Sequence, residues 1–281
     1  MNNKILIISI FITGVIISGC IENNNKEKTI IVFCGSVSKP AIEEAAKVFE
    51  EKEKIKVELN FGGSGTMLSN MEISRKGDLY IPASPDYMEK AKRKKVVDPD
   101  SIKIISYLVP AIIVQKGNPK NIKTLEDLAR PNIKVGIANP ESVSIGVYTV
   151  ELLEYNHLTK KVEKNIVTHT KSFSDALALI STKKVDAIIG WQVAEKWNLD
   201  YLEVVLMNSD KIPRVAYVSS AISTYSKDRK SAKNFLDFLV SEEGKKIFAK
   251  HGFLATEEEA RRYAPNAEIG GEYKLPKDWE T

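Results

Sequence analysis

Short β-type apolar runs alternate with amphipathic helical stretches along almost the whole chain. Residues 29–33 form a β run. Residues 40–53 follow, with Ile42, Ala45, Ala46 and Phe49 at helical spacing and Glu43, Glu44, Lys47 and Glu50 off that face. Strands at 55–61 and 78–81 and helices at 66–76 and 87–94 complete a β-α-β-α-β-α series, and the helix at 66–76 stops at Gly77. This is the pattern of a parallel sheet covered by helices. A long β run at 104–115, interrupted by Pro110, crosses into a second domain. There a capping box at 124–127 opens a short helix. A strand at 133–138, a turn at Asn139-Pro140, a helix at 144–157 and a strand at 166–169 come next. A helix at 174–182 points Ala176, Leu177 and Ile180 inward, and a strand at 185–190, a helical turn at 193–197 and a strand at 203–206 close the series. A second long β run at 214–223 returns the chain to the first domain. One helix over 228–251 carries Phe235, Phe238, Leu239 and Phe248 as a core stripe, and the tail from 256 is polar.

The expected architecture is α/β, with two lobes, each a mostly parallel sheet flanked by helices, hinged by two crossing strands around a cleft. The expected division is lobe 1 at 29–107, lobe 2 at 108–218, and the return of lobe 1 with the tail at 219–281. With 281 residues, 43% of them hydrophobic and 28% charged, the chain has an ordinary globular composition and room for two domains. The net charge of +4 comes with Lys and Glu interspersed, unlike the basic stripe of a nucleic-acid binder.

Residues 1–19 read as a signal peptide: Lys4, an apolar run over 5–17, then Ser18-Gly19-Cys20. The run is marginal in length for a membrane span. Its Ile17-Ser18-Gly19-Cys20 ending resembles a lipobox, which makes Cys20 the lipidated N-terminus of the mature chain. The other reading is an uncleaved anchor with a chance cysteine. Residues 20–28 are then a lipidated N-terminus and polar leash. Only Cys34 remains after processing, so no intrachain disulfide forms, and its place at the end of an apolar strand suits a small buried hydrophobe.

The candidate chemistry lies in two glycine-and-serine turns, Cys34-Gly35-Ser36-Val37-Ser38 and Phe61-Gly62-Gly63-Ser64-Gly65-Thr66. Each follows a β run and leads into a helix. Such turns aim unpaired N–H groups and a hydroxyl at one spot, and the helix start adds partial positive charge. Two of them in one domain make an anion site that needs no lysine or arginine. Ser36 and Ser64 also fit as plain helix caps, and Gly62, Gly63 and Gly65 as plain turn residues. His157, His169 and His251 are dispersed, away from any metal-ligand spacing. Gly-x-Ser-x-Gly and HExxH motifs are absent, and the second turn lacks a P-loop lysine. An exported α/β hydrolase is therefore the weaker alternative. Trp191 and Trp197 flank a short helix and fit either core packing or the cleft.

The chain resembles the periplasmic molybdate/tungstate-binding proteins of ABC importers, which have the type II solute-binding fold. The resemblance runs from Thr29 to Phe253. It rests on Phe33-Cys34-Gly35-Ser36, residues 61–68, Gly77-Asp78-Leu79-Tyr80-Ile81-Pro82-Ala83-Ser84, residues 139–148 and residues 241–253. It implies a tetrahedral dianion held by neutral donors: Ser36 and Ser64 from one lobe, and the segment around Ile145, the turn at Phe173 and the region of Trp191 from the other. Many members have alanine where this chain has Ile145 and a tyrosine near Gly190-Trp191. Some relatives add carboxylate ligands, for which Glu141 is a candidate by proximity alone. The resemblance implies an extracytoplasmic lipoprotein, a monomer, that delivers molybdate or tungstate to an ABC transporter permease without cofactor or bound metal ion. Phosphate, sulfate or a small carboxylate is the alternative ligand, although a carboxylate binder usually places an arginine in its cleft and neither serine turn carries one.

Overall fold

The computed structural model describes residues 28–197, 200–277 and 279. The signal peptide and Cys20 lie outside the described residues. The first lobe opens with β1 (Lys28–Gly35), α1 (Lys39–Glu53), β2 (Ile55–Gly62), α2 (Ser64–Ser74), β3 (Leu79–Ile81), α3 (Pro85–Arg93) and β4 (Lys103–Leu108). Lys28, read as the last residue of the leash, is already strand. The second lobe contains β5 (Pro110–Gln115), β6 (Val135–Ala138), α4 (Ser144–Tyr155), α5 (Thr159–Val162), β7 (Ile166–Thr170), α6 (Phe173–Ser181), β8 (Ala187–Trp191) and β9 (Leu202–Val205). The chain returns through β10 (Arg214–Ile222), α7 (Arg229–Val240), α8 (Glu242–Lys250), α9 (Glu257–Tyr263) and β11 (Glu268–Ile269).

Two sheets result. One is six-stranded, ordered β11-β10-β3-β1-β2 with β4 on β10; the other is five-stranded, ordered β7-β6-β8-β5-β9. The βαβ units pair in parallel, β1 with β2 and β3, and β6 with β7 and β8. The crossing strands pair antiparallel, β10 with β3 and β4, and β5 with β8 and β9. The long run at 104–115 is two strands: β4 ends at Leu108 in the first sheet and β5 starts at Pro110 in the second. The first sheet takes the chain up again from Arg214.

The helices bury the faces that their spacing selects. Ala41, Ile42, Ala45, Ala46 and Phe49 of α1 are all buried. The capping box is reciprocal: Thr124 N–H donates to Asp127 Oδ2 at 2.9 Å and Asp127 N–H to Thr124 Oγ1 at 3.3 Å. Two expectations fail. The helix expected over 228–251 is two helices, α7 and α8, broken at Ser241, whose ψ of 167° is extended. The Ser241 hydroxyl caps α8 by accepting from Gly244 N–H. The tail, expected to be merely polar, holds α9 with Ala260 buried, and β11 pairs with β10.

Candidate functional site

Register places the serine turns side by side. β1 and β2 are parallel neighbours with Gly35 opposite Gly62, so both chains leave the carboxyl edge of one sheet together. Ligands of open α/β sheets gather at that edge. Ser36 opens a 3₁₀ turn that runs on into α1, and Ser64 is the first residue of α2. In the second lobe, α4 begins at Ser144-Ile145 soon after β6, α6 begins at Phe173 after β7, and Trp191 ends β8.

These edges face each other across the cleft. One small pocket, of about 10 Å³, is lined by Gly35, Ser36, Val37, Gly62, Ser64, Ala83, Val143, Ser144, Ile145, Phe173 and Trp191. Ser36, Ser64, Ile145, Phe173 and Trp191, the residues that the resemblance implied, therefore surround one space. Glu141 is exposed and lines a neighbouring groove with Lys90 and Glu272 instead.

Four helical N-termini converge here, at Ser36, Ser64, Ser144 and Phe173, where the sequence had pointed to two. The first N–H groups of a helix have no partner within it, and each N-terminus carries roughly half a positive charge. No residue lining the pocket has an ionisable carboxylate, amine or guanidinium. The positive potential is thus built from backbone and hydroxyls.

The hydroxyls are not caps. Gly35 and Gly63 occupy the N-cap positions, and neither helix start has a side-chain cap bond. Instead Phe173 N–H donates to Ser36 Oγ across the cleft at 3.1 Å, and Ser144 Oγ–H donates to Ser64 Oγ at 3.0 Å. Ala83 N–H also donates to Ser64 Oγ, at 3.2 Å. With both acceptor positions taken, the Ser64 hydroxyl proton is free to donate. Tyr80 holds the turn from below, donating from its hydroxyl to the Ser64 carbonyl at 2.8 Å, and burial pushes its phenol well above the usual range. Cys34 is fully buried beneath Gly35, and burial likewise raises its thiol.

The glycines serve approach between lobes rather than turn geometry. Gly63 has φ −62°, open to any residue, but a Cβ there would meet Ser142 O at 2.6 Å and Lys171 O at 2.8 Å. A Cβ on Gly65 would come within 2.7 Å of Tyr87, and Gly65 N–H donates to Ser142 O at 2.8 Å. Tyr87 donates to the Pro140 carbonyl. The lobes are closed on each other.

Trp191 is 1% exposed and meets Tyr148 edge-on, with centroids 5.1 Å apart. Trp197 stays half-buried: its ring lies 5.9 Å from Phe173 and its indole N–H donates to the His251 carbonyl. His251 pairs with Glu44, and no cluster of metal-ligating side chains occurs among the described residues. Sequence reasoning missed Ser144 and the Ala83 N–H. Ser144 had the same strand-turn-helix setting as the other serines but no glycine directly beside it. A buried arginine, Arg214, lies close by, outside the pocket lining.

Two α/β lobes closed on a pocket between their sheet edges, with the chain crossing twice, define the type II fold of extracytoplasmic binding proteins. The chain belongs to the family of bacterial extracellular solute-binding proteins, which it matches over residues 30–254. Bacillus subtilis YvgL, provisionally named an ABC transporter substrate-binding lipoprotein, is 28% identical over 88% of this chain and 98% of its own. The molybdate-binding protein ModA of Haemophilus influenzae is 23% identical over 86% of this chain and 96% of its own. The solved sulfate-binding protein SubI of Mycobacterium tuberculosis superposes with a TM-score of 0.74 at 18% identity, over 86% of this chain and 94% of its own. The protein is a solute-binding component of an ABC importer and not an enzyme.

Proposed function

We propose that the protein is a lipoprotein that captures molybdate or tungstate in this pocket and hands it to the importer's permease. The observation that carries the reading is the convergence of four helical N-termini on a pocket without a charged side chain. Burying a dianion is costly unless each oxygen is hydrogen-bonded. Here Ser36 and Ser64 supply hydroxyls, the Ile145 and Phe173 turns supply N–H groups, and Trp191 supplies an indole N–H. Oriented neutral donors stabilise the anion without a fixed ion pair that would slow its release. Closure completes the donor set, so the liganded closed form is the one the permease recognises.

The donor set also sets selectivity. Hydrogen phosphate carries a proton that needs an acceptor. No carboxylate lines the pocket, and the acceptor positions of Ser64 Oγ are already filled. Calorimetric titration with molybdate, tungstate, sulfate and phosphate tests this. Molybdate and tungstate should bind tightly and phosphate weakly. Preference for phosphate, or for sulfate alone, would replace the ligand assignment. The anchor is tested separately by mass spectrometry of the mature N-terminus, which should be a diacylated Cys20. A chain starting at any other residue contradicts the anchor and leaves the pocket untouched.

A further inference from the structure

Arg214 opens β10 where the chain re-enters the first lobe, and its side chain is 2% exposed. All its donors are spent. Nη1 and Nη2 donate to the two oxygens of Asp86 at 3.1 and 3.0 Å. Nε donates to Glu151 at 2.8 Å and Nη2 lies 2.7 Å from the same carboxylate. Nη1 also reaches the Gly271 carbonyl at 3.0 Å. Asp86 belongs to α3 of the first lobe, whereas Glu151 belongs to α4 of the second. The first turn of α4 lines the pocket through Ser144 and Ile145. The guanidinium lies 4.1 Å from the ring centre of Tyr148, and Tyr148 packs on Trp191, a pocket wall.

The C-terminal segment crosses the same junction. Tyr273 N–H donates to Asp86 at 2.9 Å, the Tyr273 hydroxyl donates to Glu154 of α4, and Glu272 pairs with Arg93 of α3.

We propose that Arg214 is a positioning residue: a buried guanidinium shared between the lobes that latches the closed form and fixes α4 against the pocket. The asymmetry of its partners makes the latch reversible. The Asp86 limb stays within one lobe, so the guanidinium is never stranded when the lobes part. The Glu151 limb spans the lobes and is the one that opening breaks. Glu151 is only 14% exposed and meets the guanidinium through both Nε and Nη2, so this limb is a charge-assisted, bidentate contact in the closed form. The latch itself rests on geometry alone; only the kinetic half of its test relies on the oxyanion reading.

Glu151→Gln keeps the shape and removes the charge across the lobes. Molybdate release, followed by tryptophan fluorescence in stopped flow, should accelerate about tenfold with the association rate unchanged, as for one lost charge-assisted bond. The radius of gyration of the ligand-free variant in X-ray scattering should exceed that of the parent. Arg214→Lys, which cannot span both carboxylates, should shift both readouts the same way. A merely structural role would lower the melting temperature and leave release and radius unchanged, and that result overturns the latch. If the parent chain binds no oxyanion, the ligand assignment fails and the scattering comparison alone decides the latch.

Discussion

Ser64 holds three structural relations at once: it starts α2, accepts from Ala83 N–H and accepts from Ser144. Ser64→Ala therefore has two separable effects. Affinity for molybdate should fall roughly 10- to 100-fold, the cost of one hydrogen bond to a charged partner. Stability should fall by about 1–3 kcal/mol, because Ala83 N–H is left buried and unpaired. Calorimetry and thermal melting read the two apart; a folded variant with unchanged affinity would remove Ser64 from the donor set. Gly63→Ala separates closure from folding. Its backbone suits alanine, yet the added methyl would strike Ser142 O and Lys171 O. The variant should keep its circular dichroism and melting temperature while molybdate affinity drops at least about tenfold, the effect of blocking the bound conformation. Equal affinity would show that the lobes do not need this close approach.

At the scale of elements, periodicity and turn chemistry exposed most of the fold. The β-α alternation, the crossing strands and the inward face of α1 follow from residue spacing, which is a local property. The Gly-Ser turns were visible for the same reason. Ser144 was not, because its place in the pocket depends on closure between segments far apart in sequence, and Ala83 was not, because a backbone N–H after β3 leaves no side-chain signature. The break at Ser241 was missed because no proline or glycine interrupts the apolar stripe there. Its signal was the Ser241-to-Gly244 spacing: the serine caps α8, and a Cβ on Gly244 would lie 2.3 Å from Phe238 O. Ser241→Ala removes a cap of about 1 kcal/mol and should lower the melting temperature by roughly 2–4 °C. No change in a thermal melt would mean that packing of α7 on α8 fixes the break unaided. The tail's polar composition hid α9, which is anchored through Ala260.

For the whole molecule, carboxylates on joints between elements set the response to acid. Hydrogen bonds from Lys103 and Lys233 hold Asp237 below its usual range, Lys250 and His251 do so for Glu44, Arg93 for Glu272, and Lys211 for Glu126. Each has a lower pKa folded than unfolded, so its contribution is present above roughly pH 4–4.5 and is lost as pH falls through the folded value. Glu151 is raised by burial and acts in the opposite sense, but against six lowered carboxylates among the described residues, Asp127 and Asp228 included. The melting temperature should stay level from about pH 7 to 5 and fall below about 4.5. A rise on acidification would mean that buried carboxylates such as Glu151 dominate. In the proposed reading the anion sits between the closed lobes. Co-crystals with tungstate measured at the tungsten absorption edge locate the heavy atom directly. One anomalous peak should lie between Ser36, Ser64, Ile145, Phe173 and Trp191, with its oxygens in hydrogen-bond reach of both lobes. A peak elsewhere, or no peak from crystals grown at saturating tungstate, would contradict the account.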